Sequence, residues 1–155
     1  MVLNTRHFGE ISIDEEKVIT FENGLPGFPD CRRFILLQAE SSLAEAENCM
    51  FWWLQCVDWP ETAFVMVDVI MLMPDYNPLI EEDEMAGLGE YDPDTFLVYN
   101  IANIPDDIKR MTVNLKAPVI INTNLRKGKQ IIATNEEYSV RYSLFDFLEQ
   151  QAGNF

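Results

Sequence analysis

Apolar residues fall in short runs that are rich in β-branched and aromatic side chains and are divided by glycine, proline and asparagine. That pattern predicts extended strands and little helix. The first run, residues 18–21, ends at Glu22-Asn23-Gly24, and residues 24–29 then place two glycines and two prolines in six positions, a strong turn signal. Residues 33–37 predict the next strand. Residues 50–57 and 63–69 predict two central strands, with Asp58-Trp59-Pro60-Glu61-Thr62 as the hairpin loop between them.

Further strands are predicted at 95–101, 111–115, 119–122, 129–133 and 139–142, with Pro118 forcing a break or bulge because proline cannot donate to a ladder. Arg126-Lys127-Gly128-Lys129-Gln130 reads as a basic turn between strands. The regular spacing points to an all-β, single barrel-like domain of about ten short antiparallel strands with one or two short helices. The domain is expected over residues 1–143, with 144–155 as a C-terminal tail. One helix is expected at 79–88, where acids occupy the first turns, and another at 143–151, where Leu144, Phe147 and Leu148 share a face. Residues 40–48 suit a loop or a helical turn equally.

Composition bounds the function. The chain has 155 residues, of which 48% are hydrophobic and 24% charged; a domain of this size buries roughly 68–70% of its unfolded surface and folds without staples. Acids outnumber bases 26 to 11, for a formal charge of −15, which argues against direct nucleic-acid binding and against an anionic membrane surface. No apolar stretch approaches the length of a membrane span. The expectation is a monomeric, cytoplasmic protein.

The charge is unevenly spread. From Phe34 to Ile108, 75 residues carry no Lys or Arg and sixteen acids, so the whole negative excess belongs to the middle of the chain. Solubility alone accounts for many such regions; a cationic partner would nevertheless find one acidic face.

Catalytic and metal signatures are weak. His7 is the only histidine, and it reads as a partly exposed residue at a strand end. Cys31, Cys49 and Cys56 match no zinc spacing and read as reduced, buried thiols. Gly128-Lys129 lacks the surroundings of a phosphate loop, and the acids at 81–84, pointing several ways from a helix, cannot converge on one ion. No catalytic residue, metal or cofactor is expected.

Several tracts together resemble one family. Residues 5–13, then Ile19-Thr20-Phe21-Glu22-Asn23-Gly24-Leu25-Pro26-Gly27-Phe28, then Leu54-Gln55-Cys56-Val57 with Pro60 and Ala63-Phe64-Val65, then Pro74-Asp75-Tyr76, and above all Asn114-Leu115-Lys116-Ala117-Pro118-Val119-Ile120-Ile121-Asn122 with Gly128-Lys129-Gln130-Ile131-Ile132, resemble the flagellar assembly factor FliW family across nearly the whole chain. Gly24, Pro26, Gly27 and Gly128 suit turns, and Asn114 and Asn122 flank a proline-broken strand pair where side-chain amides can satisfy backbone groups. Departures are local: the 40–48 linker is longer than usual, Trp52-Trp53 is unusual, and family members vary beyond Leu144.

The resemblance implies a non-enzymatic bacterial protein that binds flagellin before export and, in competition with flagellin, binds the translational regulator CsrA and relieves repression of flagellin mRNA. An RNA-binding regulator presents a basic surface, which a base-free acidic region would complement. Asp75, Glu81, Glu82, Asp83 and Glu84 are the expected CsrA-facing residues. Flagellin's helix-forming ends would take an apolar groove, with Met73, Tyr76 and Tyr99 as expected contacts and Met71 and Leu72 as weaker candidates. The alternative is a small acidic ligand-binding or enzymatic β-barrel with Asn114, Asn122 and Arg126 at its mouth.

Overall fold

The computed structural model describes residues 2–5, 9–38 and 51–147. Eleven strands are described: β1 (Val2–Thr5), β2 (Gly9–Ser12), β3 (Ile19–Thr20), β4 (Arg33–Gln38), β5 (Phe51–Cys56), β6 (Ala63–Val67), β7 (Phe96–Asn103), β8 (Thr112–Val113), β9 (Val119–Asn122), β10 (Lys127–Gln130) and β11 (Tyr142–Ser143). A four-residue helix α1 (Val69–Leu72) follows β6, and a helical turn α2 begins at 144–147. Short 3-10 turns lie at Glu15–Lys17, Glu82–Met85 and Ile108–Arg110.

Seven strands close into a barrel in the order β3-β4-β5-β6-β7-β9-β10, with β10 returning to β3. A closed ring with an odd number of strands cannot alternate direction throughout. One neighbouring pair must run parallel, and here it is β3 with β10, joined at Thr20 and Lys127. The expectation of a wholly antiparallel sheet yields at that one seam.

Period-two alternation sorts the barrel residues. Phe34, Leu54, Cys56, Met66, Tyr99, Val119 and Ile121 point inward and pack with Phe21, Leu25 and Cys31 into the central core, with the half-buried Trp52, Leu97 and Ile101 packed against it. Residues of the opposite parity face outward and are covered in three places. The β1–β2 hairpin lays Leu3 and Ile13 on Ile35 and Val57. The segment before β7 lays Ile80, Met85 and Leu88 on Phe96, Val98, Ile120 and Ile131. The C-terminal part brings Met111, Val113, Leu115 and Leu144 against Val67, Val69, Tyr76 and Ala102.

Turn chemistry follows the sequence motifs. Pro26 and Gly27 sit at the centre of a tight turn closed by Phe28 N–H to the Leu25 carbonyl (2.7 Å), with Gly27 at φ +83°, the residue order of a type II turn. Gly24 adopts φ +65°, and a side chain there would run into the backbone of Phe28 and Pro29. Asn114 Oδ1 accepts the amides of Lys116 (3.1 Å) and Ala117 (3.0 Å), and Asn122 Oδ1 those of Asn124 (3.0 Å) and Leu125 (3.2 Å), so both asparagines cap the turn that follows them. Pro118 stands just before β9, and its carbonyl accepts Ile131 N–H (3.0 Å).

The structure also differs from expectation. Residues 127–130 form strand β10, not a turn, because the hairpin turn lies earlier, around the Asn122 cap, and Arg126 adopts φ +54° there. Residues 79–88 form only the 3-10 turn Glu82–Met85: Gly87 and Gly89 adopt positive φ and the segment's carbonyls bond to the barrel. Val69 caps no strand but opens α1. The β1–β2 hairpin, which no expected strand covered, packs on the outside of the ring. His7, Cys49 and residues 40–48 lie outside the described residues, as does the chain beyond 147.

Candidate functional site

The acid-rich chain between α1 and β7 is a strap bound along the barrel by side chains of the barrel and the C-terminal loop. At its start, Tyr76 is buried; its hydroxyl donates to the Leu115 carbonyl (2.7 Å) and accepts from Asn100 Nδ2 (2.9 Å). Burial pushes the Tyr76 hydroxyl up to about 12, partly opposed by the Asn100 donor. Asn77 N–H donates to Tyr138 Oη (2.8 Å), and Asn135 brackets the strap, accepting Leu79 N–H at Oδ1 (2.6 Å) and donating from Nδ2 to the Asn77 carbonyl (3.1 Å). Farther on, Lys129 Nζ donates to the Glu84 carbonyl (3.0 Å), and Asn122 Nδ2 to the Leu88 carbonyl (2.6 Å).

These attachments decide which way the strap faces. Ile80, Met85 and Leu88 turn onto the barrel, so the intervening acids must turn out. Asp75, Glu81, Glu82, Asp83 and Glu84 are all exposed, as are Glu90, Asp92 and Asp94. Among the described residues, Glu84 alone of these acids has a cation beside it, Lys129 at 3.3 Å. The structure therefore brings Glu81, Glu82, Asp83 and Glu84 onto one turn, with Asp75 nearer the strap's start. Among the described residues no group of His, Cys, Asp and Glu is arranged to hold a metal.

The apolar candidates divide. Met71 is exposed on α1, 48% accessible, next to Ile70 at 45%. Leu72 and Met73 are half-buried against the C-terminal cluster. Tyr76 and Tyr99 are buried, Tyr99 inside the barrel against Trp52 with ring centroids 5.8 Å apart. Neither tyrosine side chain is presented for contact: Tyr76 packs in the cluster that holds Leu72 and Met73, and Tyr99 in the barrel core. The Asp68 carboxylate accepts Met71 N–H (3.4 Å) and caps α1, while burial raises its pKa.

Asn114, Asn122 and Arg126 do not converge on a mouth: the asparagines cap separate turns, and the Arg126 guanidinium donates to the Glu16 carbonyl. Gly128 lies on β10 directly over the buried Phe21 ring. Cys31 and Cys56 are free and buried, and burial pushes the Cys56 thiol up to about 12 against the lowering effect of the Trp59 amide, so it stays neutral. No described helix is long and apolar enough to cross a membrane.

Sequence reasoning missed Ile70, Asn100 and Asn135. Ile70 was hidden in an apolar run that continues strand β6, and the only signal for a helix was the N-cap potential of Asp68. Asn100 interrupts the apolar run of β7, and Asn135 follows a strand-like tract; a polar amide in such places commonly holds a neighbouring loop.

Comparison with known proteins places the chain. The family model described as "FliW protein" matches residues 2–144. A protein of Ruminiclostridium cellulolyticum named "Flagellar assembly factor FliW" is 38% identical over 151 residues, 97% of this chain and 99% of the relative. One of the same name from Caldanaerobacter subterraneus is 40% identical over 149 residues, 96% of each chain. The solved structure titled "Crystal structure of the flagellar assembly factor FliW" superposes with a TM-score of 0.80 at 31% identity, covering 94% of this chain and 97% of that one.

Proposed function

The chain belongs to the FliW family of flagellar assembly factors, and from that premise we propose that it is a non-enzymatic cytoplasmic binding protein that holds flagellin before export and, in competition with flagellin, binds and antagonises CsrA, relieving repression of flagellin mRNA. The observation that carries the CsrA half is the strap: its apolar side chains face the barrel and its acids face solvent, in a 75-residue stretch without a base. A regulator that grips RNA through basic residues meets there a surface of opposite sign, which speeds encounter and repels phosphate from the same neighbourhood.

Asp75, Glu81, Glu82, Asp83 and Glu84 act on CsrA. Flagellin is taken on an apolar surface of a different kind, with exposed Met71 and Ile70 on α1 and half-buried Met73 beside them, in the mode by which an amphipathic helix meets an apolar surface. Tyr76 holds that region in place from below.

The test is kinetic. Glu81→Lys, Glu82→Lys and Asp83→Lys are combined, leaving Glu84 because it is tied to Lys129, and CsrA association is measured at two salt concentrations. The association rate is expected to fall and its salt dependence to flatten. An unchanged rate and slope overturns the assignment of these acids. Failure of saturating flagellin to displace CsrA overturns the competition.

A further inference from the structure

The second half of β7 leaves the barrel. Residues 96–99 pair with β9, whereas Ala102 and Asn103 pair with Val113 and Thr112 of β8, which in turn pairs with β11. The face that is interior within the ring therefore continues past Ile101 onto an open three-stranded extension. Its register sets Asn103, Thr112 and Ser143 in a row across the strands, while Ala102, Val113 and Tyr142 pack on the other side. Asn114, Arg110 and Arg141 line the groove above that row.

The two arginines are the informative part. In a chain with 26 acids to 11 bases, Arg33, Lys127 and Lys129 each pair with a carboxylate. Arg110 and Arg141 are exposed, and among the described residues neither guanidinium has a hydrogen-bond or ion-pair partner. The nearby Asp107 carboxylate is turned to the Lys109 amide (3.1 Å). Val140 and Ile104, 58% and 42% exposed, add apolar surface beside the groove.

We propose that this groove is a docking surface for an acidic peptide segment of a partner protein, one that carries carboxylates for Arg110 and Arg141 and an apolar side chain for Val140. Charge complementarity selects the occupant: a pair of unengaged guanidiniums with amide and hydroxyl groups between them matches carboxylates. Register selects an extended chain over a small anion: Arg141 continues the β11–β8 register opposite Asn114, four positions along from Arg110, which separates the two backbone positions by about 13 Å, a span that suits successive carboxylates of an extended segment better than one phosphate. The surface is separate from the acidic strap, and its occupancy does not depend on how CsrA is bound.

The probe is a fluorescein-labelled heptapeptide alternating Glu with Val, read by anisotropy at physiological salt, where the field of the remaining acids is screened. Saturable binding is expected, weakened roughly tenfold or more by Arg110→Gln combined with Arg141→Gln, and by a similar factor when Gln replaces Glu in the peptide. Both arginine side chains are exposed and unpaired, so the double variant should melt with the wild type; Arg110→Lys with Arg141→Lys should bind with intermediate affinity. Equal binding of the Glu and Gln peptides, full binding by the Gln double variant, or complete displacement by inorganic phosphate at the peptide's own concentration would each overturn the proposal.

Discussion

The side-chain amide of Asn122, on barrel strand β9, donates to the backbone carbonyl of Leu88 in the acidic strap at 2.6 Å, while its oxygen caps the turn leading into β10. One residue thus fixes both the end of a strand and the place where the strap comes to rest. In Asn122→Ala the Leu88 carbonyl loses its donor and two turn amides lose their acceptor, and a destabilisation of about 1–3 kcal/mol is expected in urea unfolding. Asn122→Asp keeps the acceptor and loses the donor, so it should preserve the turn yet make the strap more open to limited proteolysis.

Gly128 tolerates no side chain. A methyl group there would stand 2.5 Å from the Phe21 ring, which is wholly buried and packed edge-on against Phe34 at 5.0 Å. Gly128→Ala is expected to lower stability by about 1–3 kcal/mol through overpacking, and pairing it with Phe21→Leu should recover part of the loss. The thermal midpoints of the single and double variants measure this.

Asp58 organises the entry to β4. Its carboxylate accepts from the amides of Arg32 (3.1 Å) and Arg33 (3.0 Å) and from Arg33 Nε (2.8 Å), with Arg33 Nη2 at 2.7 Å. Burial pushes its pKa up, but the Arg33 side chain and the two amides outweigh that and hold it below the usual carboxylate value. A carboxyl whose folded pKa is depressed contributes stability that is complete above its unfolded pKa, about 4, and is lost as pH falls through the folded value. Asp58→Asn should therefore be less stable than wild type at pH 7, and the gap should close as unfolding is followed down through pH 4 to 2.

Tyr76 gives a way to separate anchoring from contact. In Tyr76→Phe the Leu115 carbonyl and one proton of the Asn100 amide lose their partner at a buried site, a cost of about 1–3 kcal/mol in unfolding. Flagellin affinity in this variant, measured well below its melting temperature, should stay within about twofold of wild type, since a residue that touches the ligand would shift affinity along with stability.

The sequence carried the fold through its punctuation more than its propensities. The Gly-Leu-Pro-Gly-Phe turn, the Asp58–Thr62 loop and the two asparagine caps are local chemistry, legible residue by residue. The outer hairpin was not legible because residues 2–12 lack a clean alternation of polar and apolar positions, and the strap was misjudged because its acids satisfy helix rules that tertiary bonds to Asn122, Asn135 and Lys129 override. The exposed acids could be anticipated from charge alone. The burial of Tyr76 and Tyr99 could not, since an aromatic residue reads the same in a core as on a binding surface until its neighbours across the barrel are known.

The parallel junction of β3 with β10 is the shortest stitch in the ring: two residues on one side, a single paired position, and Thr20 N–H to the Arg126 carbonyl at 2.9 Å. Breathing of the wall should begin there, because parting those strands breaks fewer backbone bonds than parting any long antiparallel pair. A cylinder with one such zip can admit solvent beside Phe21 while β4 to β7 stay laced, so its amides should trade hydrogens at the join long before the opposite wall does.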